Sequence, residues 1–197
     1  MIAVQNNHSI FNSHIIQSLA IAFLLMFFAS ANAQQAVSPQ QTYKMPPKAI
    51  ADLVDAPWTP RVSISPDQKT MLLCKWPGLP SIEEVAQPEL QLGGLRFNPR
   101  TNGPSRGWYY NALTLRDIHD GTERDITGLP ENPKISNISW SPDGKRIAFT
   151  ITLSDRLELW VAKLKDGKAS RLSSAALNDA YGSAFQWLSD NRTIIAL

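Results

Sequence analysis

The strongest constraint on this chain is a short pattern that occurs three times. Residues 138–150 read ISWSPDGKRIAFT, in which alternating apolar residues lead into the turn Ser141-Pro142-Asp143-Gly144 and apolar residues resume after it. Proline presets φ, aspartate bonds its own backbone and glycine accepts a positive φ, so the pattern predicts a β-hairpin. Residues 62–73 (VSISPDQKTMLL) and 185–197 (FQWLSDNRTIIAL) repeat it.

A second hairpin pattern alternates with the first. Residues 113–127 and 159–173 each contain an alternating strand, an Asp-Gly turn and another strand. Units of four strands that recur about every 40–50 residues are typical of β-propeller blades. The sequence therefore predicts an all-β fold, an incomplete β-propeller of about three four-stranded antiparallel blades. Trp140 and Trp187 occupy equivalent positions in the repeat, and we expect them to pack between blades, with Trp108 also in the core.

The first blade is too long for the repeat. Asp67 and Asp143 are 76 residues apart, whereas one blade takes about 40–50 residues. The excess falls in residues 76–106, which are predicted to form an insertion within the first blade. Ser81 and Glu84 have the spacing of a capping box, so the insertion is expected to be an ordered helical loop.

The amino-terminal residues have the features of an export signal. Residues 1–33 lack Lys, Arg, Asp and Glu, and an apolar run at 19–29 precedes Ala31-Asn32-Ala33. This pattern predicts a signal peptide cleaved after Ala33 and an exported protein, periplasmic or secreted. The run is shorter than the roughly 20 residues that a membrane-spanning helix needs. Residues 34–60 are rich in proline and are predicted to form an arm with one short helix.

The composition excludes several kinds of partner and cofactor. A formal net charge of +2 indicates neither a nucleic-acid nor a membrane partner. The single cysteine, Cys74, follows an apolar run and is predicted to be a buried structural thiol. Only His119 follows the predicted cleavage site, so the sequence indicates no metal and no other cofactor.

Residues 103–107, Gly-Pro-Ser-Arg-Gly, match the G-x-S-x-G pattern of serine hydrolases. That pattern carries a nucleophile only where a strand precedes it and a helix follows it. Here turn-forming residues precede Ser105 and aromatic residues of strand type follow it. His119 lies at an Asp-Gly turn, where a solvated role is expected. The sequence therefore predicts no catalytic residue in this chain.

Three segments together carry a specific resemblance: residues 43–60 (YKMPPKAIADLVDAPWTP), the SISPDQK hairpin, and residues 79–106 (LPSIEEVAQPELQLGGLRFNPRTNGPSR). They resemble the prolyl oligopeptidase family of serine peptidases, nearest the glutamyl endopeptidase group. The resemblance covers about residues 43–197. It implies a propeller that admits peptide substrates to an α/β-hydrolase domain with a Ser-Asp-His triad beyond Leu197. Residues 61–197 would then be the first part of the propeller, truncated before the catalytic domain and inactive alone.

The resemblance also implies cleavage after glutamate, which raises the question of what recognises the carboxylate. Arg96, Arg100 and Arg106 lie close together in the insertion, and a guanidinium group is the best partner for a carboxylate. We therefore consider these three as substrate-binding candidates. The alternative is that they are solvated or pair with acidic residues of the same insertion, which are Glu83, Glu84 and Glu89.

A different class of protein also fits the repeats. Exported propellers of the Tol-system type bind proteins, have no enzyme domain and share the Ser-Pro-Asp hairpin. Such a propeller would be expected to have compact, regular blades. The long insertion at residues 76–106 favours the peptidase over this alternative.

Overall fold

The computed structural model describes residues 44–197, so the predicted signal peptide and the cleavage after Ala33 lie outside the described residues. By their internal contacts, residues 52–197 form one compact unit, and every described strand belongs to it. Within residues 44–197, no helix has the length and apolar character needed to cross a membrane.

The described elements confirm an all-β fold with little helix. In chain order they are α1 (Lys48–Val54), β1 (Arg61–Ile64), β2 (Thr70–Lys75), α2 (Ile82–Val85), β3 (Leu90–Leu92), β4 (Leu95–Asn98), β5 (Gly103–Pro104), β6 (Ala112–Asp117), β7 (Glu123–Asp125), β8 (Ile135–Trp140), β9 (Arg146–Thr152), β10 (Leu157–Lys163), β11 (Lys168–Arg171), β12 (Phe185–Trp187) and β13 (Ile194–Ala196). The short helix α1 confirms the helical character predicted for the arm, and none of its residues is buried.

Two complete antiparallel sheets form successive blades. The first has the order β1-β2-β6-β7 and the second the order β8-β9-β10-β11. The pair β12-β13 begins a third sheet with the same hairpin pattern. This is the predicted incomplete propeller, and the insertion lies in the first blade, between β2 and β6.

The central strand of the second blade explains how the sheets stack. Successive side chains of a strand point to opposite faces. Phe149 on β9 belongs to the apolar cluster shared with the first blade, whereas its neighbour Ala148 belongs to the cluster shared with β12. Both are fully buried. Cys74 lies in the first cluster, and burial raises the pKa of its thiol to about 11, as expected for a structural cysteine.

The repeated tryptophans connect each blade to the one before it. Trp140 donates its indole N–H to the Ser63 hydroxyl of β1 at 2.9 Å, and Trp187 donates to the Ser139 carbonyl of β8 at 3.2 Å. Their predicted position between blades is confirmed. Trp108 is different: its side chain is 73% exposed, so the expectation that it lies in the core is wrong.

The Ser-Pro-Asp turns are held by the same hydrogen bonds in both complete blades. Ser65 donates its hydroxyl to Asp67, and Ser141 donates to Asp143. These bonds are the main reason that the pKa values of both carboxyl groups lie below their usual range. In the third repeat a leucine replaces the serine, and the Thr193 hydroxyl and amide bind the aspartate from the other side.

The insertion contains more structure than the sequence predicted. Its helix α2 has the predicted capping box, with Ser81 and Glu84 bonded to each other's backbone N–H. A three-stranded antiparallel sheet, β3-β4-β5, follows the helix. Gly93 and Gly94, with φ of 56° and 85°, make the tight turn between β3 and β4. A two-residue Gly-Gly connection between alternating apolar residues is a hairpin signal, so the sequence contained evidence for this sheet.

Candidate functional site

The G-x-S-x-G segment lies at the edge of the small sheet in the insertion. Gly103 and Pro104 form β5, and the Ser105 amide donates to the Arg96 carbonyl at 3.1 Å. A turn at Ser105 and Arg106 follows, and residues without regular structure then lead into β6, so the serine lacks the strand-to-helix turn of a nucleophile elbow. The Ser105 hydroxyl donates to the Glu89 carboxylate at 2.8 Å.

Glu89 is the centre of a polar cluster that we call the Glu89 cluster. Arg96 Nη1 lies 3.1 Å from Glu89 Oε1, and Arg106 Nε lies 3.8 Å from Oε2. Gln91 Nε2 also donates to Oε1, at 3.1 Å. The Glu89 side chain is only 12% exposed, while those of the two arginines are 59% and 51% exposed. The structure thus brings two of the three candidate arginines together around one carboxylate.

The chemistry of the Glu89 cluster suits carboxylate binding better than nucleophilic catalysis. The hydroxyl of Ser105 is the largest influence that lowers the Glu89 pKa, and the Gln91 amide, Arg96 and Arg106 lower it further. A carboxylate with a lowered pKa is a weak base, and a base beside a serine must accept the hydroxyl proton. Ser105 is therefore a hydrogen-bond donor to an anion in this arrangement.

Arg100 lies apart from the other two candidates. Its backbone amide donates to Asn98 Oδ1 at 2.9 Å, in the turn between β4 and β5. Among residues 44–197, no ion pair involves its guanidinium group, and the residue is exposed. It is available to an acidic ligand without displacing a residue of the described chain.

A second ionic group anchors the insertion to the second blade. Lys134 Nζ lies 2.7 Å from Glu84 Oε1, and the Tyr109 hydroxyl donates to the same oxygen. Burial opposes ionisation of Glu84, but hydrogen bonds from Lys134 and Tyr109 outweigh it and lower the Glu84 pKa. Burial, reinforced by the carboxylate, raises the Tyr109 pKa to about 12. Glu84, Lys134 and Tyr109 bond to one another and hold the insertion against the second blade, which is a structural role.

His119 lies in the exposed turn between β6 and β7, where its amide donates to Asp117 Oδ1 at 2.8 Å. Within the described chain, no three His, Cys, Asp or Glu side chains are grouped as metal ligands. The Glu89 cluster is therefore the candidate functional site in the described residues.

Sequence reasoning missed the central position of Glu89 and a buried network that contacts the insertion at Asn102. Asp179 is 8% exposed, and burial raises its pKa. Asn137, which has a φ of 51°, donates to Asp179 Oδ2 at 2.6 Å and to Thr150 Oγ1 at 3.2 Å. The Asp179 amide donates to the Asn102 carbonyl of the insertion at 2.8 Å. These bonds join residues 13, 42 and 77 positions apart, so no local pattern indicated them.

Four-stranded antiparallel sheets that stack through repeated tryptophans define this chain as part of a β-propeller. Information about function comes from proteins of similar sequence. The chain is 37% identical over 164 residues to a probable chloroplastic glutamyl endopeptidase of Arabidopsis thaliana, and 31% identical over 170 residues to the Oryza sativa subsp. japonica protein of the same name. These similarities confirm the resemblance to the prolyl oligopeptidase family, nearest the glutamyl endopeptidase group.

The matches cover most of this chain but little of the relatives. They span 78% and 80% of this chain, yet only 17% and 18% of the length of the two plant proteins. No protein family model matches the chain.

Solved structures give weaker similarities. An acylaminoacyl peptidase of Pyrococcus horikoshii is 18% identical, with a TM-score of 0.42, over 74% of this chain and 18% of that chain. TolB of Acinetobacter baumannii is 21% identical, with a TM-score of 0.28, over 60% of this chain and 31% of that chain. The assignment to a family rests on the plant relatives.

Proposed function

We propose that this chain is the amino-terminal propeller portion of an exported serine peptidase that cleaves peptides after glutamate. The observation that carries the proposal is the 31–37% identity to proteins named as glutamyl endopeptidases. The matches cover 78% and 80% of this chain. The Tol-type alternative has the weaker support, since the similarity to TolB has a TM-score of only 0.28.

The propeller portion would admit substrates and hold them, while a separate domain performs the hydrolysis. Ser105 donates to a carboxylate that is a weak base, and His119 lies in an exposed turn of another sheet. Neither is arranged for acyl transfer. The Ser-Asp-His triad and its α/β-hydrolase domain would lie beyond Leu197. The apolar run at residues 19–29 and the Ala31-Asn32-Ala33 site that follows it support export.

Recognition of glutamate is the part of this function that residues of the insertion could supply. Arg96, Arg100 and Arg106 present cations on one small sheet and its turns. Arg100 is the candidate without an ion pair in the described chain, whereas the other two share Glu89. We include all three in the proposal, as groups that draw or hold an acidic side chain.

The test is the selectivity of the full-length protein for acidic substrates. Each arginine is replaced with glutamine, and kcat/KM is measured on matched peptides with glutamate or glutamine before the cleaved bond. Loss of a direct carboxylate contact should reduce kcat/KM on the glutamate peptide selectively, by about 1–3 kcal/mol in transition-state free energy. Lys145→Gln, on an exposed turn of the second blade, is the matched control.

Two results would contradict different parts of the proposal. Equal small changes on both peptides in all three variants would remove the arginines from substrate recognition. A full-length protein that hydrolyses neither peptide, although it is folded, would remove the peptidase function itself.

A further inference from the structure

The Glu89 cluster contains more donor groups than a structural ion pair requires. Two guanidinium groups, one hydroxyl and one side-chain amide are directed at a single carboxylate. We propose that these groups form a carboxylate-binding site that Glu89 occupies within its own chain, and that the acidic side chain of a peptide can take its place.

The charges favour an anion in this position. Arg96 and Arg106 together carry two positive charges, so the site keeps a net positive charge even with Glu89 bound. Both arginine side chains are more than half exposed, while the Glu89 side chain is 12% exposed. The donors are therefore accessible from solvent. Bonds of this kind between charged groups are stronger than neutral ones and match the geometry of a carboxylate.

The segment that carries Glu89 is held weakly enough to move. Glu89 stands between Pro88 and β3, and all three residues of β3 are exposed. Leu90 and Leu92 are 50% and 71% exposed. A segment that buries little apolar surface opens locally at a small cost in free energy. Release of Glu89 therefore does not require the blades to unfold.

The ligand class follows from the chemistry of the donors. A carboxylate accepts hydrogen bonds from Arg96 and Ser105 and pairs ionically with Arg106. A neutral amide of the same size places an N–H group against the cations. The site should therefore separate glutamate from glutamine. That the carboxylate belongs to a peptide rests on the proposed function, but the existence of the site does not.

The experiment removes the resident carboxylate and supplies another. Glu89→Ala is prepared in this chain and titrated with N-acetyl-glutamate methylamide, while the Arg106 Nε–H signal is followed by NMR. The variant should bind this probe in the millimolar range, which is ordinary for one small charged group. Wild-type chain should bind at least about tenfold more weakly, because a tethered carboxylate competes at high effective concentration.

Two controls make the result specific, and a second variant serves if the first does not fold. N-acetyl-glutamine methylamide should bind neither protein, and the double variant Glu89→Ala, Arg106→Gln should lose the response to the glutamate probe. Glu89→Gln retains the volume of the side chain and replaces Glu89→Ala if the alanine variant does not fold. A folded variant that responds equally to the two probes would overturn the proposal and leave Glu89 as a structural residue. Peptidase activity is not read out here, so this outcome is distinct from failure of the proposed function.

Discussion

Replacement of Trp140 with alanine is expected to lower the free energy of unfolding by about 3–5 kcal/mol, as large-to-small changes in a core do. Trp140 packs against the apolar cluster that the first two blades share. It also donates its indole N–H to the Ser63 hydroxyl of β1 at 2.9 Å. The substitution removes packing and a hydrogen bond at one interface. Thermal and denaturant unfolding of the protein measure the loss.

Two milder variants separate the contributions. Trp140→Phe keeps most of the ring volume but removes the N–H donor, and Ser63→Ala removes the acceptor. A double-mutant cycle between Trp140→Phe and Ser63→Ala should give a coupling of about 0.5–1.5 kcal/mol, the usual value for one hydrogen bond. Unchanged unfolding of Trp140→Ala would show that the blades do not pack through this residue.

Gly128→Ala is the second substitution with a large expected effect, about 2–4 kcal/mol of destabilisation. Gly128 has a φ of 80°, and a Cβ atom there would lie 2.6 Å from the Ala169 carbonyl oxygen on β11. A left-handed backbone costs an L-residue about 1–2 kcal/mol. The clash with the Ala169 carbonyl would also strain two neighbouring hydrogen bonds. The Thr127 amide donates to the Gly167 carbonyl, and the Ala169 amide donates to the Thr127 carbonyl, both at 2.8 Å. Each is worth about 1 kcal/mol.

Gly182→Ala is the matched control for this clash. Gly182 has a φ of 84°, nearly the same as that of Gly128, but a Cβ atom there would meet nothing within 4 Å. It should therefore show only the backbone cost of about 1–2 kcal/mol. Denaturant unfolding gives the loss in free energy of unfolding for each variant. The difference between the two losses measures the contact that Thr127 and Gly128 make with β11. Equal losses would mean that the two blades are not joined at this point.

The hairpins could be predicted from the sequence because their information is local. Alternation of apolar residues sets the strands, and Ser-Pro-Asp sets the turns, as the bonds from Ser65 to Asp67 and from Ser141 to Asp143 confirm. The equivalence of Trp140 and Trp187 followed from the repeat alone. The sheet of the insertion was missed because its strands are short and its leucines exposed, although Gly93-Gly94 indicated the turn.

The Glu89 cluster could not be predicted in the same way. Its donors come from positions 2, 7, 16 and 17 residues after Glu89, and they meet only because β3, β4 and β5 pair. Spacing along the chain could name the arginines and acidic residues as possible partners, but it could not say which acid binds which base. The pairing of the three strands brings Glu89, and not Glu83 or Glu84, to Arg96 and Arg106.

The most direct test of the proposed peptidase is to locate a fluorophosphonate adduct in the full-length protein by mass spectrometry. Such a probe modifies an activated serine, and Ser105 is not activated, because its hydroxyl donates to a carboxylate of lowered pKa. The expected result is one modified serine outside residues 1–197, with Ser105 unmodified and the labelling unchanged in Ser105→Ala. An adduct on Ser105, or a folded full-length protein with no adduct, would contradict the proposal.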